Sequence, residues 1–414
     1  MKGFDMRSLS FLILLAMASV LSAQVVSTGA DILMKEKREL LAGKHIGLIT
    51  NHSALLADGR HLADAIRADS TMHLVALFGP EHGIRGDAPD GKSIQTGIDP
   101  RTGVPIYSLY GKVSKPTPEM LKGIDVLVYD IQDVGARFYT FISTLFLTME
   151  TAADNNLPFI VLDRPNPIRG TDVEGPLRDD SLKSFVGWAP MPVAHGMTVG
   201  ELATMANGAG WLHDRVQAKL TVVAMRGWKR SMWYDETGLR WVKPSPNMAT
   251  LRTATVYPGA CFFEGTNMSE GRGSERPFEY IGAPFIDNIQ WRDALMKLRL
   301  PGVVFDTISF VPAEIAKAVS NPKHKGQVCR GVAVTVTDRN MFEPVRTGIA
   351  MLKTAHDVAP NDFQFRDRRI DQLVGTPRIR LMIIAGKSVG EINASWKEEA
   401  KKFERDRAPY LLYR

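Results

Sequence analysis

Between residues 45 and 163 the chain repeats one unit: a short apolar run rich in β-branched residues, a polar or Gly/Pro-containing loop, then enough residues for a crossover helix. Four runs show it: His45–Thr50 (HIGLIT), 73–78 (HLVALF), 125–130 (DVLVYD) and 158–163 (PFIVLD). Near-continuous apolar runs need both faces covered, and strands joined by crossovers run parallel. The unit therefore predicts βαβ topology and a mostly parallel sheet with helices on both faces. Residues 137–154, between the last two runs, have the spacing of an amphipathic helix.

After Asp163 the pattern lapses into a long region, 164–278, rich in Gly, Pro, Asn and Trp. A helix over 199–206, opened by Thr198, and a strand over 220–225 interrupt it. Loops of this length usually build a site. From Ile281 ordinary alternation resumes, with a helix at 289–297, strands at 303–311 and 331–337, and a last helix at 397–405. The expected architecture is α/β: a parallel-sheet domain over 24–280, then a smaller α+β domain over 281–414.

Residues 1–23 are expected to be a secretory signal. Lys2 and Arg7 precede the apolar run 9–21, and Ser22-Ala23 follow it. The run is shorter than a membrane span of about 18 to 20 apolar residues, and no later stretch approaches that length, so an exported chain without stable membrane insertion is expected, periplasmic or secreted. Leu21 is large for the −3 position of a cut after Ala23. The net charge of +6, from 51 basic and 45 acidic residues, has no Lys/Arg block that would mark a nucleic-acid partner. It is compatible with an anionic substrate. Cys261 and Cys329 are too few for a disulfide scaffold, and spacing alone leaves open whether they pair.

Ligands of open α/β sheets sit beyond the carboxyl ends of the strands, where diverging crossovers leave a crevice. Here those ends are loaded. Asn51-His52 follows the first run. Gly79-Pro80-Glu81-His82-Gly83 follows the second, and its Pro and flanking glycines let a ligand approach Glu81 and His82. A carboxyl in a partly apolar pocket suits a general acid. The third run leads through Asp130, Asp133, Arg137 and Tyr139. Asp130, Asp133 and Arg137 are either a self-satisfied ion-pair cluster or, through Arg137, a fork for a substrate carboxylate. The fourth leads to Asp163-Arg164-Pro165-Asn166, with Asn166 suited to a sugar hydroxyl or amide. Glu174 offers a second carboxylate, which glycoside hydrolysis typically needs. His195 and Asn247 are further candidates for ligand contact. So is the Gly-rich segment 263–274, which carries Glu264, Asn267 and Arg272. No dinucleotide or P-loop glycine motif, nucleophile elbow or His-Glu-x-x-His occurs, so no cofactor is expected.

The phrases FGPEHGIRG, DIQDVGARFYTF, VLDRPNP, VEGP, HGMTVGEL, PSPNM, FEGTNMSEGRG and YLLYR, in this order, resemble the bacterial exo-β-N-acetylmuramidases, long catalogued as a domain of unknown function. The likeness spans essentially the whole mature chain. It implies a Rossmann-like N-terminal domain, a smaller C-terminal domain, and a cleft between them that releases N-acetylmuramic acid from the non-reducing end of peptidoglycan fragments. Muropeptides or muramyl disaccharides would be the substrates. The matching phrases point to Glu81 and Glu174 as acidic catalysts, with Glu264 or Asp130 as alternatives for the second role. A substrate-assisted route through the 2-acetamido oxygen is open as well. GRGS at 271–274 stands where the family usually has GRGT, which keeps the hydroxyl. The lactyl carboxylate of the sugar calls for a cationic fork, with Arg137 and Arg272 as candidates. Two other readings stand beside this one: a non-catalytic periplasmic saccharide-binding protein, and a metal-dependent hydrolase using Glu81, His82, Asp130 and His195. The spacing of those four matches no compact metal motif, and no metal is expected.

Overall fold

The computed structural model describes residues 25–86 and 97–414; the expected signal segment lies outside them. A seven-stranded sheet has the order β3-β4-β2-β1-β5-β6-β7. Its strands are β1 (His45–Thr50), β2 (His73–Gly79), β3 (Gly97–Ile98), β4 (Pro105–Ser108), β5 (Val126–Asp130), β6 (Pro158–Leu162) and β7 (Lys219–Val223). All neighbours are parallel except the short edge pair β3–β4.

Alternation along β5 shows how the sheet is covered. Val126 and Val128 join the core beneath α1 (Gly29–Glu36) and α2 (Leu62–Ala68), whereas Leu127 and Tyr129 join the core beneath α3 (Phe141–Asp154) and α4 (Val199–Gly208). Both faces are therefore apolar and dry, as the runs required. Helix α3 starts four residues later than periodicity suggested, because residues 131–140 are spent crossing the strand ends. Thr198 caps α4 in a reciprocal capping box with Glu201.

The second unit is built on an antiparallel sheet of order β8-β10-β9, from β8 (Tyr280–Ala283), β9 (Val303–Phe310) and β10 (Cys329–Val336). Helices α5 (Leu251–Ala260), α6 (Asn288–Lys297) and α7 (Pro344–Val358) belong with it. Helices α8 (Asp367–Val374), α9 (Arg378–Ile384), α10 (Val389–Ala394) and α11 (Lys397–Arg407) follow. A Cβ on Gly259 would lie 2.0 Å from the Pro344 carbonyl, and one on Gly348 would lie 2.4 Å from Gly259 Cα. Helices α5 and α7 thus meet backbone to backbone, which only glycine permits. The unit consequently begins near residue 250, not at 281: α5 was hidden within the loop-rich region because its Pro258 and two glycine contacts blur helical periodicity. Its apolar core is continuous with that on the α3 face of the large sheet. Cys261 and Cys329 are both buried and are not bonded to each other.

Candidate active site

A cavity of about 310 Å³ opens at the carboxyl edge of the large sheet, where loops after β2, β4 and β5 meet the second unit. From the first unit come Glu81 and His82 after β2, Tyr110 after β4, and Tyr139-Thr140 at the head of α3. From the second come Tyr257 and Cys261 at the end of α5, Glu264 on the following 3-10 turn, Arg272, and Arg369 on α8. His82 and Gly83 are both left-handed, at φ 72° and 76°, so the chain turns sharply where Glu81 stands. Glu81 is partly buried and accepts a hydrogen bond from Thr140 Oγ1 at 3.1 Å. Thr140 is the N-cap of α3, yet its hydroxyl makes no capping bond to the helix.

Opposite in origin, Glu264 bridges two guanidiniums. Oε1 accepts from Arg272 Nη1 and Oε2 from Arg369 Nη2, each at 2.5 Å. Burial pushes its pKa up, but the charges and hydrogen bonds of Arg272 and Arg369 outweigh burial and bring it down to about 2. Glu264 is therefore held as the carboxylate and is no proton donor near neutral pH. Arg272 also lies 3.5 Å from Glu270 and over the Phe278 ring at 4.8 Å.

Of the residues anticipated from the sequence, the cleft gathers Glu81, His82, Tyr139, Glu264 and Arg272. The others are bound elsewhere. Asp130 is fully buried at the end of β5 and forms a bidentate pair with Arg164, at 2.5 and 2.9 Å. Arg137 is no fork for a ligand: its guanidinium is buried and donates to the carbonyls of Pro176, Met191 and Leu373. Burial lowers its pKa to about 9, and it packs against Gly375, where a Cβ would meet Arg137 Nη2 at 2.6 Å. Asn166 fixes its own loop, donating to the Met197 carbonyl and accepting from the Ile168 amide. His195 is buried, accepts from the Met197 amide and lies 3.4 Å from Asp133. Asn247 donates to the Ala318 carbonyl, while Asn267 donates to the Asp362 carbonyl and accepts from the Gln364 amide.

Glu174 departs furthest from expectation. Its two oxygens accept from the amides of Val345 and Arg346 at the start of α7, and it lines a different cavity with Arg169, Trp233 and Asn340. It joins two parts of the chain and does not face Glu81 across the cleft. Among the described residues no group of three or more His, Cys, Asp or Glu could hold a metal ion, and the four candidate ligands are scattered as just described. No helix of the described residues is long and apolar enough to cross a membrane.

Thr140, Tyr110, Tyr257 and Arg369 also line the cleft, although none is a candidate from the sequence. Thr140 adjoins Tyr139 in the phrase already singled out. Arg369, however, stands in the run Arg366-Asp367-Arg368-Arg369, which has the look of a solvated charged face.

A two-domain α/β protein with a carboxyl group and a fixed carboxylate–guanidinium cluster facing each other across an interdomain cleft has the layout of a hydrolase for a polar, anionic ligand. Comparison with known proteins narrows this class. Residues 46–252 match the family model described as "Exo-beta-N-acetylmuramidase NamZ, N-terminal", and residues 255–413 match its C-terminal counterpart. The peptidoglycan beta-N-acetylmuramidase NamZ of Bacillus subtilis (strain 168) is 48% identical over 389 residues, covering 94% of this chain and 91% of that protein. Crystal structures of two DUF1343 family proteins from Bacteroides fragilis superimpose with TM-scores of 0.86 and 0.76, at 36% and 33% identity. Each alignment covers 94% of this chain and 99% of the other. The chain belongs to the NamZ exo-β-N-acetylmuramidase family.

Proposed function

We propose that the chain, a β-N-acetylmuramidase by family, releases N-acetylmuramic acid from the non-reducing end of short peptidoglycan fragments, and that it does so after export, in wall turnover. The observation that carries the chemical assignment is Glu81: a partly buried carboxyl at the edge of the cleft, oriented by Thr140. In the reaction Glu81 gives its proton to the glycosidic oxygen as the C1–O bond breaks. Glu264, held ionised between Arg272 and Arg369, is the second carboxylate at the cleft. C1 is then taken by water, directly or after attack by the sugar's own 2-acetamido oxygen, and the proton that water loses restores the Glu81 carboxyl. The products are N-acetylmuramic acid and a fragment one sugar shorter.

The test is Glu81→Gln. On a muramyl disaccharide kcat should fall roughly 100- to 10,000-fold. On a 4-nitrophenyl muramic acid glycoside, whose leaving group needs little protonation, the loss should be far smaller. Equal losses on both substrates would remove Glu81 from the general-acid role. Binding of the disaccharide by the wild-type protein without release of free reducing sugar would instead favour a saccharide-binding function.

A further inference from the structure

Two guanidiniums, Arg272 and Arg369, share the carboxylate of Glu264 at the cleft, while Glu270 and Lys323 face each other at 3.0 Å. A guanidinium stays protonated in proteins.

The nearby cations are already engaged. Lys323 donates to the Phe263 carbonyl at 2.6 Å and the Met268 carbonyl at 2.9 Å and pairs with Glu270 at 3.0 Å. Arg137 is spent on three carbonyls. Arg272 is held between Glu264, Glu270 and the Phe278 ring, with its side chain 21% exposed. Arg369 differs. It enters the cavity wall from α8, its side chain is 39% exposed, and it gives one Nη2 bond to Glu264 while its other N–H groups make no hydrogen bond among the described residues.

We propose that Arg369 is the specificity residue that reads the lactyl carboxylate, the group distinguishing N-acetylmuramic acid from N-acetylglucosamine, with Glu264 as the positioning residue that aims its guanidinium. The assignment rests on the muramidase reading above. The ligand carboxylate pairs with the edge of the Arg369 fork that Glu264 leaves open. A glucosaminyl unit offers that edge no anion. Because Arg369 belongs to the second unit and Glu81 to the first, the right sugar is held from one side and protonated from the other.

The experiment compares kcat/KM for the 4-nitrophenyl glycosides of N-acetylmuramic acid, its lactyl methyl ester and N-acetylglucosamine, with wild type, Arg369→Met and Arg369→Lys. In wild type, the ester should be a poorer substrate than the acid by roughly 10- to 100-fold. Arg369→Met should lose the same factor on the acid, mainly through KM, and should treat acid and ester alike. Arg369→Lys, which keeps charge but not the fork, should fall between. A merely structural role would lower all three substrates together and leave their ratios unchanged, which would overturn the proposal. If Arg369→Met does not fold, wild type handling acid and ester equally well overturns it on its own. Failure of wild type to cleave either muramyl glycoside would count against the muramidase reading itself, a separate outcome.

Discussion

Asp130 and Glu264 are both carboxylates buried against arginine, yet their surroundings give them different work. Asp130 meets Arg164 below the strand ends, where the side chains are 0% and 4% exposed. Such a pair adds little over a well-packed apolar pair, but removing one partner strands the other charge. Asp130→Asn should therefore destabilise the fold by roughly 3–5 kcal/mol, read as a lower urea midpoint. An unchanged midpoint would mean that Arg164 finds another partner. Glu264 sits at the cleft, and its two arginines face space that a ligand can occupy. In sequence the two acids look alike, each a short step from an Arg or a Gly-rich turn. What separates them is which side of the sheet edge the chain places them on.

At the scale of elements, the N-terminus of α7 shows a catalytic motif serving as a joint. Glu174 reaches across from the loop after β6 and accepts the first amides of α7, at 2.9 and 2.6 Å, groups that no intrahelical carbonyl can satisfy. Burial of the carboxyl pushes its pKa up to about 8 in spite of those two bonds, from an ordinary value of 4.5. A raised acid binds its proton longer in the folded state than in the unfolded one. Its contribution is thus fully present below about 4.5 and is lost as pH rises through about 8. Glu174→Gln, which cannot ionise and offers one acceptor oxygen in place of two, should melt below wild type at pH 4.5. The gap should narrow or reverse by pH 8.5. A constant gap in thermal melts across this range would show that folding does not raise the pKa of Glu174. Activity of this variant should follow its stability, since the carboxyl lines a separate cavity.

Across the whole molecule, the C-terminal segment ties the second unit back onto the first. Arg407 donates to the carbonyls of Gly170, Thr171, His195 and Gly196. Beyond it the Leu412 amide bonds Glu201 at 2.9 Å, and the Tyr413 hydroxyl donates to Asp163 at 2.5 Å while accepting from the Met225 amide at 2.8 Å. Burial raises Asp163 to about 7, against hydrogen bonds from Tyr413, Gly200 and Thr198 that favour its ion. Deleting residues 408–414 would strip Tyr413 from Asp163 and leave the Met225 amide unpaired, at about 1–3 kcal/mol for each buried group so exposed. The truncated chain should unfold at lower urea than the full chain. Should its midpoint match, the tail is ornamental to stability and its phrase YLLYR needs another explanation.

The parallel sheet was legible because it rests on local pattern: apolar runs such as 45–50 and 125–130 have no fold open to them except burial on both faces. Glu81 was legible for a similar reason, since a Pro-Glu-His-Gly turn at a strand end has one address in an open α/β sheet. Helices α5 and α7 were less so, because Gly259 and Gly348 look like breaks until the two helices are seen to touch there. The division of the polar residues into site and scaffold belonged to the tertiary structure alone. Arg137 and Arg369 are the same side chain near equally charged neighbours, but contacts 39, 54 and 236 residues away consume the first, and a contact 105 residues away leaves the second open at the cleft. A guanidinium's role is set by which acceptors surround it, and those acceptors are brought by parts of the chain whose distance in sequence carries no record of their distance in space.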